Sequence, residues 1–523
     1  MLVLALAMPS CTDWLDLRPQ DGTIQEDFWK TQEDVESMVL ACYRAMAEDD
    51  FMEHLLVAGE VRSDNAVVGE KTPEKLGRIL DVTILSSNDY AKWADFYKVI
   101  NYCNTVIKYA PEVVDADPNY TRGLLKAHLA EATTLRALAY FYLVRIWGDV
   151  PYIDFPYTED TQNFKIAKSS GDSILNCLVP GLLEAETFAL TARGGSTTDQ
   201  RRQTKGRITK NATRALLADI YLWLGKYNEC IEACERVLPD VLENLTDRNT
   251  ETLTGAELIL IGNTMFYNNA FQSIFTIGNS YESIFELQFN LDNSNSKVKE
   301  YYSSVVNTGF VSAAPFSNYN LFVADDLRGK DSFKEVDTKG FSGIFKYVGN
   351  ERVSGTSTEG ATSIYFYSDP DRVAPNWIFY RLPDIYLMMA EALVERSGGA
   401  TADLTAALDL VNTTFVRSNP DNPVGFKFDD YNGVEKMREL VLDERQREFL
   451  FEGKRWFDLL RLARRDGSSA NLLKYIIRKY TTNTAVIQIK LSNMDALYMP
   501  IHQNELTRNT ALVQNKYYLE NEN

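Results

Sequence analysis

The chain has 523 residues, 45% of them apolar and 12% aromatic; this is a globular composition, and the length exceeds one ordinary core, so two lobes or a large helical array are expected. A formal net charge of −19 repels phosphates, which excludes nucleic acid and an anionic membrane face as electrostatic partners. Only His54, His128 and His502 are present, too few and too scattered for a histidine metal site or a Ser-His-Asp relay, and each is expected to be an ordinary surface or semi-buried residue. Cys11, Cys42, Cys103, Cys177, Cys230 and Cys234 form no CxxC pair and no disulfide pattern. Cys230 and Cys234, one helical turn apart with no further ligand nearby, read as small core residues.

The opening run MLVLALAMPSC is a short apolar segment ending in Ser10-Cys11, followed at once by polar TDWLDLRPQD. It resembles a bacterial lipoprotein leader, in which the cysteine thiol takes a diacylglycerol and the freed amine a further acyl chain. No Lys or Arg precedes the run, and Met8 and Pro9 are unusual residues for such a site. No other segment approaches the ~20 apolar residues that span a bilayer.

Further along, ATTLRALAYFYLVRIWGDVP (132–151) is apolar around nearly its whole circumference from Ala137 to Trp147, the mark of a buried helix closed by Gly148 and Pro151. The stretch 191–207 reads as a solvated loop, its basic cluster of Arg201, Arg202, Lys205 and Arg207 included. Residues 212–239 give two amphipathic helices, with Leu217, Ile220, Tyr221 and Leu224 on one stripe and Tyr227, Cys230, Ile231 and Cys234 on the next. Their spacing resembles a tetratricopeptide (TPR) helix pair. A second helical hairpin is expected over 384–412, broken at Gly398-Gly399. Between the hairpins IFELQF (284–289) alternates as a strand does, and 240–376 is rich in Asn, Ser, Gly and Tyr, loop territory where binding residues sit on a rigid scaffold. VIQIKL (486–491) reads as another short strand.

The stretch ERQREFLFEGKRWFDLLRL (444–462) carries the densest mixture of charge and apolar residues. Phe449, Trp456, Phe457, Leu459 and Leu460 supply the buried side of a helix that Gly453 bends. Arg445, Glu448, Glu452 and Arg455 recur at the spacing of intrahelical ion pairs. Arginines so close would lower the pKa of both glutamates, which is wrong for a general acid, so the stretch is expected to be structural.

That same stretch resembles the signature helix of the SusD/RagB family of outer-membrane nutrient-binding lipoproteins. EVRSDNAVVG (60–69), LRALAYFYLVRIWGDVPY (135–152), the TPR-like pair, YRLPDIYLMMAEAL (380–393) and YMPIHQNELTRNTALVQNKYY (498–518) extend the resemblance over nearly the whole chain from Cys11. The resemblance implies a mainly α, SusD-like fold, with TPR-like hairpins as scaffold, long irregular loops and a few short strands. It divides the chain into a leader over 1–10, an N-terminal region over 11–240, a loop-rich ligand-binding region over 241–376 and a C-terminal region over 377–523. It further implies a non-enzymatic protein on the cell-surface face of the outer membrane, lipid-anchored at Cys11. Such a protein captures oligosaccharides and acts as a hinged lid on a SusC-like, TonB-dependent transporter.

Glycan capture needs aromatic faces for sugar C–H surfaces and planar amides or carboxylates for hydroxyls, with no cofactor or catalytic residue. The family's habits place the ligand-binding residues after the SDN motif and in the irregular middle region. Here that points to Asp64, Asn65, Asn88, Tyr90 and Trp93, and to Tyr301, Tyr302, Phe316 and Tyr319. No metal is expected, since LDNSNS (291–296) lacks the glycine and terminal glutamate of a calcium loop. The competing readings are a SusD-like protein for peptides or glycopeptides, an all-α glycoside hydrolase, for which no carboxylate pair stands out, and a cytoplasmic TPR scaffold, which has no use for Cys11.

Overall fold

The continuous apolar circumference of 137–147 is satisfied by burial on every side. In the computed structural model those residues form the second half of a 26-residue helix, and all eleven are buried. Thr121 starts it by accepting a hydrogen bond from the Leu124 amide, and Gly148 ends it. The structure describes residues 28–159, 161–194, 197–246, 271–303, 309–316, 321–323, 326–333, 342–349 and 374–521. Cys11 and Tyr319 lie outside the described residues.

The scaffold helices are α1 (Gln32–Met46), α2 (Ala94–Ala116), α3 (Arg122–Trp147), α4 (Gly171–Phe188), α5 (Lys210–Trp223), α6 (Tyr227–Thr246), α7 (Leu382–Arg396), α8 (Thr401–Ser418), α9 (Val434–Glu448) and α10 (Arg455–Asp466). Each packs against the next in order, including α6 on α7, which are far apart in sequence. Stacked helical pairs of this kind are the TPR-like architecture expected from the 212–239 and 384–412 hairpins. Cys230 and Cys234 are fully buried, as the sequence implied.

Among the described residues six short strands pair in twos, all antiparallel: β1 (Ala66–Val68) with β5 (Val311–Ala313), β2 (Val150–Pro151) with β3 (Lys168–Ser169), and β4 (Ser283–Leu287) with β6 (Trp377–Arg381). The strand expected at IFELQF is β4. Both its faces are buried, Glu286 included, and that carboxylate accepts from the Asn279 amide and from the Asn376 side chain. No described helix is long and apolar enough to cross a membrane.

Three local expectations are overturned. VIQIKL lies in a helix, Thr484–Leu491, in which Ile487 and Leu491 are buried one turn apart while Val486 and Ile489 face solvent. Six residues of alternating character fit either period, and tertiary burial decided between them. The stretch 191–207 is not a solvated loop: residues Thr197–Gly206 form a helix. Arg207 pairs with Glu131 and Glu36, and Lys205 donates to the Ser283 carbonyl at the start of β4. All three histidines are buried, not superficial.

His54 illustrates why. Its Nδ1 lies 3.1 Å from the Asp95 carboxylate and 2.8 Å from the Asp50 carbonyl. Burial by itself would lower the pKa of the ring, but the Asp95 charge outweighs it and the net result is a rise to about 9. A raised folded-state pKa means that the stabilisation is present in full below the unfolded value near 6.5 and is lost as pH climbs through about 9. Wild type is therefore expected to lose a few kcal/mol relative to His54→Gln between pH 6.5 and 9 in urea unfolding. Parallel pH profiles for the two proteins would refute the charged ring.

The C-terminal tail is laced onto the end of α3. Trp147 Nε1 donates to the Pro500 carbonyl at 3.1 Å, the Met499 amide to the Ile146 carbonyl at 2.8 Å, and Asn515 Nδ2 to the Met499 carbonyl at 2.8 Å. The YMPIHQNEL and VQN motifs thus complete the helix that the WGDVP motif closes.

Candidate functional site

The segment GEVRSDN leaves a one-turn π-helix, Val57–Val61, and enters β1. Its polar side chains turn inward. Glu60 is fully buried and accepts from Asn65 Nδ2 at 2.7 Å and from the amides of Phe451 and Gly453 at 3.0 and 2.9 Å. Burial still pushes its pKa up to about 7. Asp64 receives a bidentate pair from Arg455, at 2.8 and 3.0 Å, and a third bond from Gln446. Burial would raise its pKa, yet the guanidinium prevails and holds it below the usual carboxylate range. Gln446 also bonds Asn65 Oδ1 at 2.8 Å. Lys479 donates to the carbonyls of Val61, Ser63 and Ala66 from beneath, and burial pulls its pKa down to about 7.

The dense 444–462 stretch is therefore the platform under this segment. It is not one bent helix. Helices α9 and α10 are separated by 449–454, where Phe451 and Gly453 take φ of 64° and 72°. The expected intrahelical pairs are replaced by tertiary ones. Arg445 pairs with Asp458, Arg455 with Asp64, Glu452 with Arg381 and Lys346, and Glu448 with Arg381, Arg328 and Arg417. Burial alone would raise the pKa of both glutamates; the surrounding cations more than offset it and lower both, as expected from the sequence though with different partners.

Above the platform, β1 pairs with β5 in the register Ala66↔Ala313 and Val68↔Val311. This joins the loop after the SDN motif to the irregular middle region. Thr72 staples the turn by donating to the Phe310 carbonyl at 2.6 Å. Asn88 caps a short 3-10 turn by accepting from the Tyr90 amide, and its own amide holds the Lys75 carbonyl at 3.0 Å. Tyr301, the last residue of the short helix Ser296–Tyr301, then ties that segment to the turn of Tyr90: its hydroxyl lies 3.2 Å from that of Tyr90 and 3.0 Å from Glu53 Oε1, with Lys297 beside Glu53. Burial, first among the causes, raises the pKa of both phenols, so they are neutral hydrogen-bonding groups.

The expected site residues thus fall into four places. Asn88, Tyr90 and Tyr301 are brought together. Asp64 and Asn65 lie one layer lower, fully buried, their side chains bonded to Arg455, Gln446 and Glu60. Tyr302, which donates to the Phe451 carbonyl, and Phe316, which packs on Phe451 and Phe333, anchor the middle region to the platform. Trp93 is separate, its ring against Tyr97 and Trp147. All eight described residues are buried, and Tyr90, at 9% exposed, is the most superficial of them. The sequence reading missed Glu53, Thr72, Lys297 and Phe310. Only the turn residues around Thr72 carried a local signal; Glu53 lies on a helix 248 positions from Tyr301. Among the described residues no cluster of three or more His, Cys, Asp or Glu could hold a metal ion.

Comparison with known proteins agrees with this fold. A family model described as the SusD family matches residues 366–518, and one described as starch-binding and associating with the outer membrane matches residues 13–222. A SusD-like protein of Formosa agariphila is 25% identical over 88% of this chain and 90% of its own. A crystal structure of a SusD superfamily protein from Bacteroides thetaiotaomicron is 25% identical and superposes with a TM-score of 0.66, covering 94% of this chain and 99% of that one. A laminarin-binding SusD-like protein, 21% identical, shares the fold with a TM-score of 0.65 over 93% of this chain and 100% of its own. The two family matches together span more than two thirds of the sequence and meet on the Asp64–Arg455 platform, and on that ground the chain belongs to the SusD/RagB family.

Proposed function

We propose that this protein is a glycan-binding lipoprotein of the outer cell surface. It captures oligosaccharides on the face formed by the loop after β1 and the segment around β5, and delivers them to a SusC-like, TonB-dependent barrel on which it sits as a lid. The observation that carries this reading is the match of residues 13–222 to a family described as starch-binding and associating with the outer membrane. The buried Tyr90–Tyr301 bridge supports it, because with Glu53 and Lys297 it fixes the turn of Tyr90 against the segment of Tyr301 and so holds the face above them in one shape. In this reading the residues expected from the sequence act in two layers. Asn88, Tyr90 and Tyr301 shape the face, while Asp64, Asn65, Tyr302 and Phe316 hold it rigid from below.

The protein binds and does not catalyse. The carboxylates of its most charged stretch, Glu448 and Glu452, are buried and kept ionised by cations, which suits neither a general acid nor contact with substrate. Anchoring falls to the Cys11 thiol.

Native electrophoresis through gels loaded with starch, laminarin and other neutral polysaccharides tests the reading. The expected result is retardation in at least one gel with no release of reducing ends. Released ends would make the protein a hydrolase. Absence of retardation across the panel would remove glycan capture. Labelling cells with a fatty-acid analogue is expected to mark wild type and not Cys11→Ala; label retained by the variant would displace the anchor.

A further inference from the structure

A groove of ≈ 560 Å³ runs beside Trp93, outside the loop face just described. Its floor is the first turns of α2, one wall is a strap of residues 151–159 and 161–166 between β2 and β3, and the other is the short helix Gln503–Arg508 with Asn509 and Leu512. The volume lies within the range of small-molecule sites.

The strap has almost no regular structure, yet it is held in place by side chains. Asn104 donates to the carbonyls of Ile153 and Phe155, and Asn101 makes two bonds to the backbone of Tyr157. Tyr97 donates to the Pro151 carbonyl, Tyr140 exchanges two bonds with Ile153, and Asn509 holds the Ile166 carbonyl. What this lashing displays is aromatic. Tyr157 and Phe164 stack at 4.6 Å and 18°, and Phe155 meets Tyr157 edge-on. Phe164 is 52% exposed and Phe155 38%. A large apolar ring such as that of Phe164, held in solvent on the lining of a groove by its stack on Tyr157, marks an interaction site. Opposite them, Glu505 and Arg508, one turn apart, make no side-chain hydrogen bond or ion pair among the described residues.

We propose that this groove is a second carbohydrate site, taking a short run of neutral pyranose units. The ring faces of Tyr97, Tyr157 and Phe164 pack on sugar C–H surfaces, while Arg508 donates to hydroxyl oxygens and Glu505 accepts from hydroxyl protons. One charge of each sign at the rim matches a neutral ligand rich in both donors and acceptors, and a protein of net charge −19 disfavours an acidic glycan. A pre-lashed strap loses little entropy on binding.

This inference rests on the glycan-capture reading, and its test separates the two. Phe164→Ala and Arg508→Ala replace exposed side chains, so both variants are expected to unfold at the wild-type temperature. Titration calorimetry with oligosaccharides cut from whichever of starch, laminarin or the other neutral polysaccharides retards the wild type is the readout, together with hydrogen exchange of residues 151–166. The expected result is about tenfold weaker binding in each variant and slowed exchange of the strap on ligand addition. A wild type that binds glycan while both variants bind equally well and the strap exchanges unchanged would overturn the groove and leave the loop face standing. A wild type that binds no glycan would overturn both.

Discussion

Replacing Arg381 by alanine is expected to lower the free energy of unfolding by about 3–5 kcal/mol. Arg381 ends β6 and is 1% exposed. It donates to Glu452 at 2.9 and 2.7 Å, to a Glu448 oxygen at 2.6 Å and to the Glu448 carbonyl at 2.8 Å. Truncation removes the bidentate partner of one buried carboxylate and a principal partner of another, both of them almost wholly shielded from solvent. The magnitude comes from that stranded charge, not from the worth of the pairs themselves. Two controls follow. Arg381→Ala combined with Glu452→Ala should cost clearly less than the sum of the single changes, because each single change leaves the other charge behind. In wild type, the contribution of Glu448 is present in full above its ordinary pKa of 4.5 and is lost progressively as acid takes the pH from there down through its depressed folded-state value. Urea unfolding at unchanged m-value reads all of this; a midpoint for Arg381→Ala equal to wild type would mean that the network is ornamental.

The second large effect is expected from adding one methyl group. An alanine Cβ at position 59 would lie 1.9 Å from the Gly453 carbonyl oxygen, 2.6 Å from its carbon and 3.0 Å from its Cα. Every one of these atoms is backbone, so no side chain can swing aside. Gly453 cannot retreat either, since its own φ is +72° and the Trp377 ring lies 2.8 Å from where a Cβ would be. The π-helix and the α9–α10 junction would have to part, and with them the bonds from the Phe451 and Gly453 amides to Glu60. Gly59→Ala is expected to destabilise by about 3 kcal/mol or more, at the upper end of overpacking effects. Gly194→Ala, where nothing lies within 4 Å, is the matched control and should stay within about 0.5 kcal/mol of wild type. Equal unfolding midpoints for the two variants would disprove the close approach.

The array itself was legible because its signals are local. A helix apolar all round, two hairpins with period-3.6 stripes and one strand could each be read within their own residues, and the ordered motifs carried the family. What escaped reading was long-range. The three- and four-residue spacing in ERQREFLFEGKRWFDLLRL is the same whether its charges pair within a helix or across the core, and only the left-handed backbone at Phe451 and Gly453 decides for the second. Asp64 stands out as part of a motif, but nothing near it says that its partner is Arg455, 391 positions away. Asp64 and Asn65, expected to face a ligand, are instead fully buried in the platform, one layer below Asn88 and Tyr90. Tyr157 and Phe164 were passed over because an irregular strap has no period to betray which rings face outward.

The lacing of the tail onto α3 bears on the order in which the molecule is made. Trp147 and Ile146 find their last partners in Met499 and Pro500, more than 350 positions later. During synthesis, a chain that has produced the first helical pairs still has an open seam at the end of α3 until residues near 500 emerge. The long-range pairs Asp64–Arg455 and Glu60–Gly453 leave the same gap at β1. Such a chain cannot complete its N-terminal half early and wait; it has to close as a whole once its last residues are made.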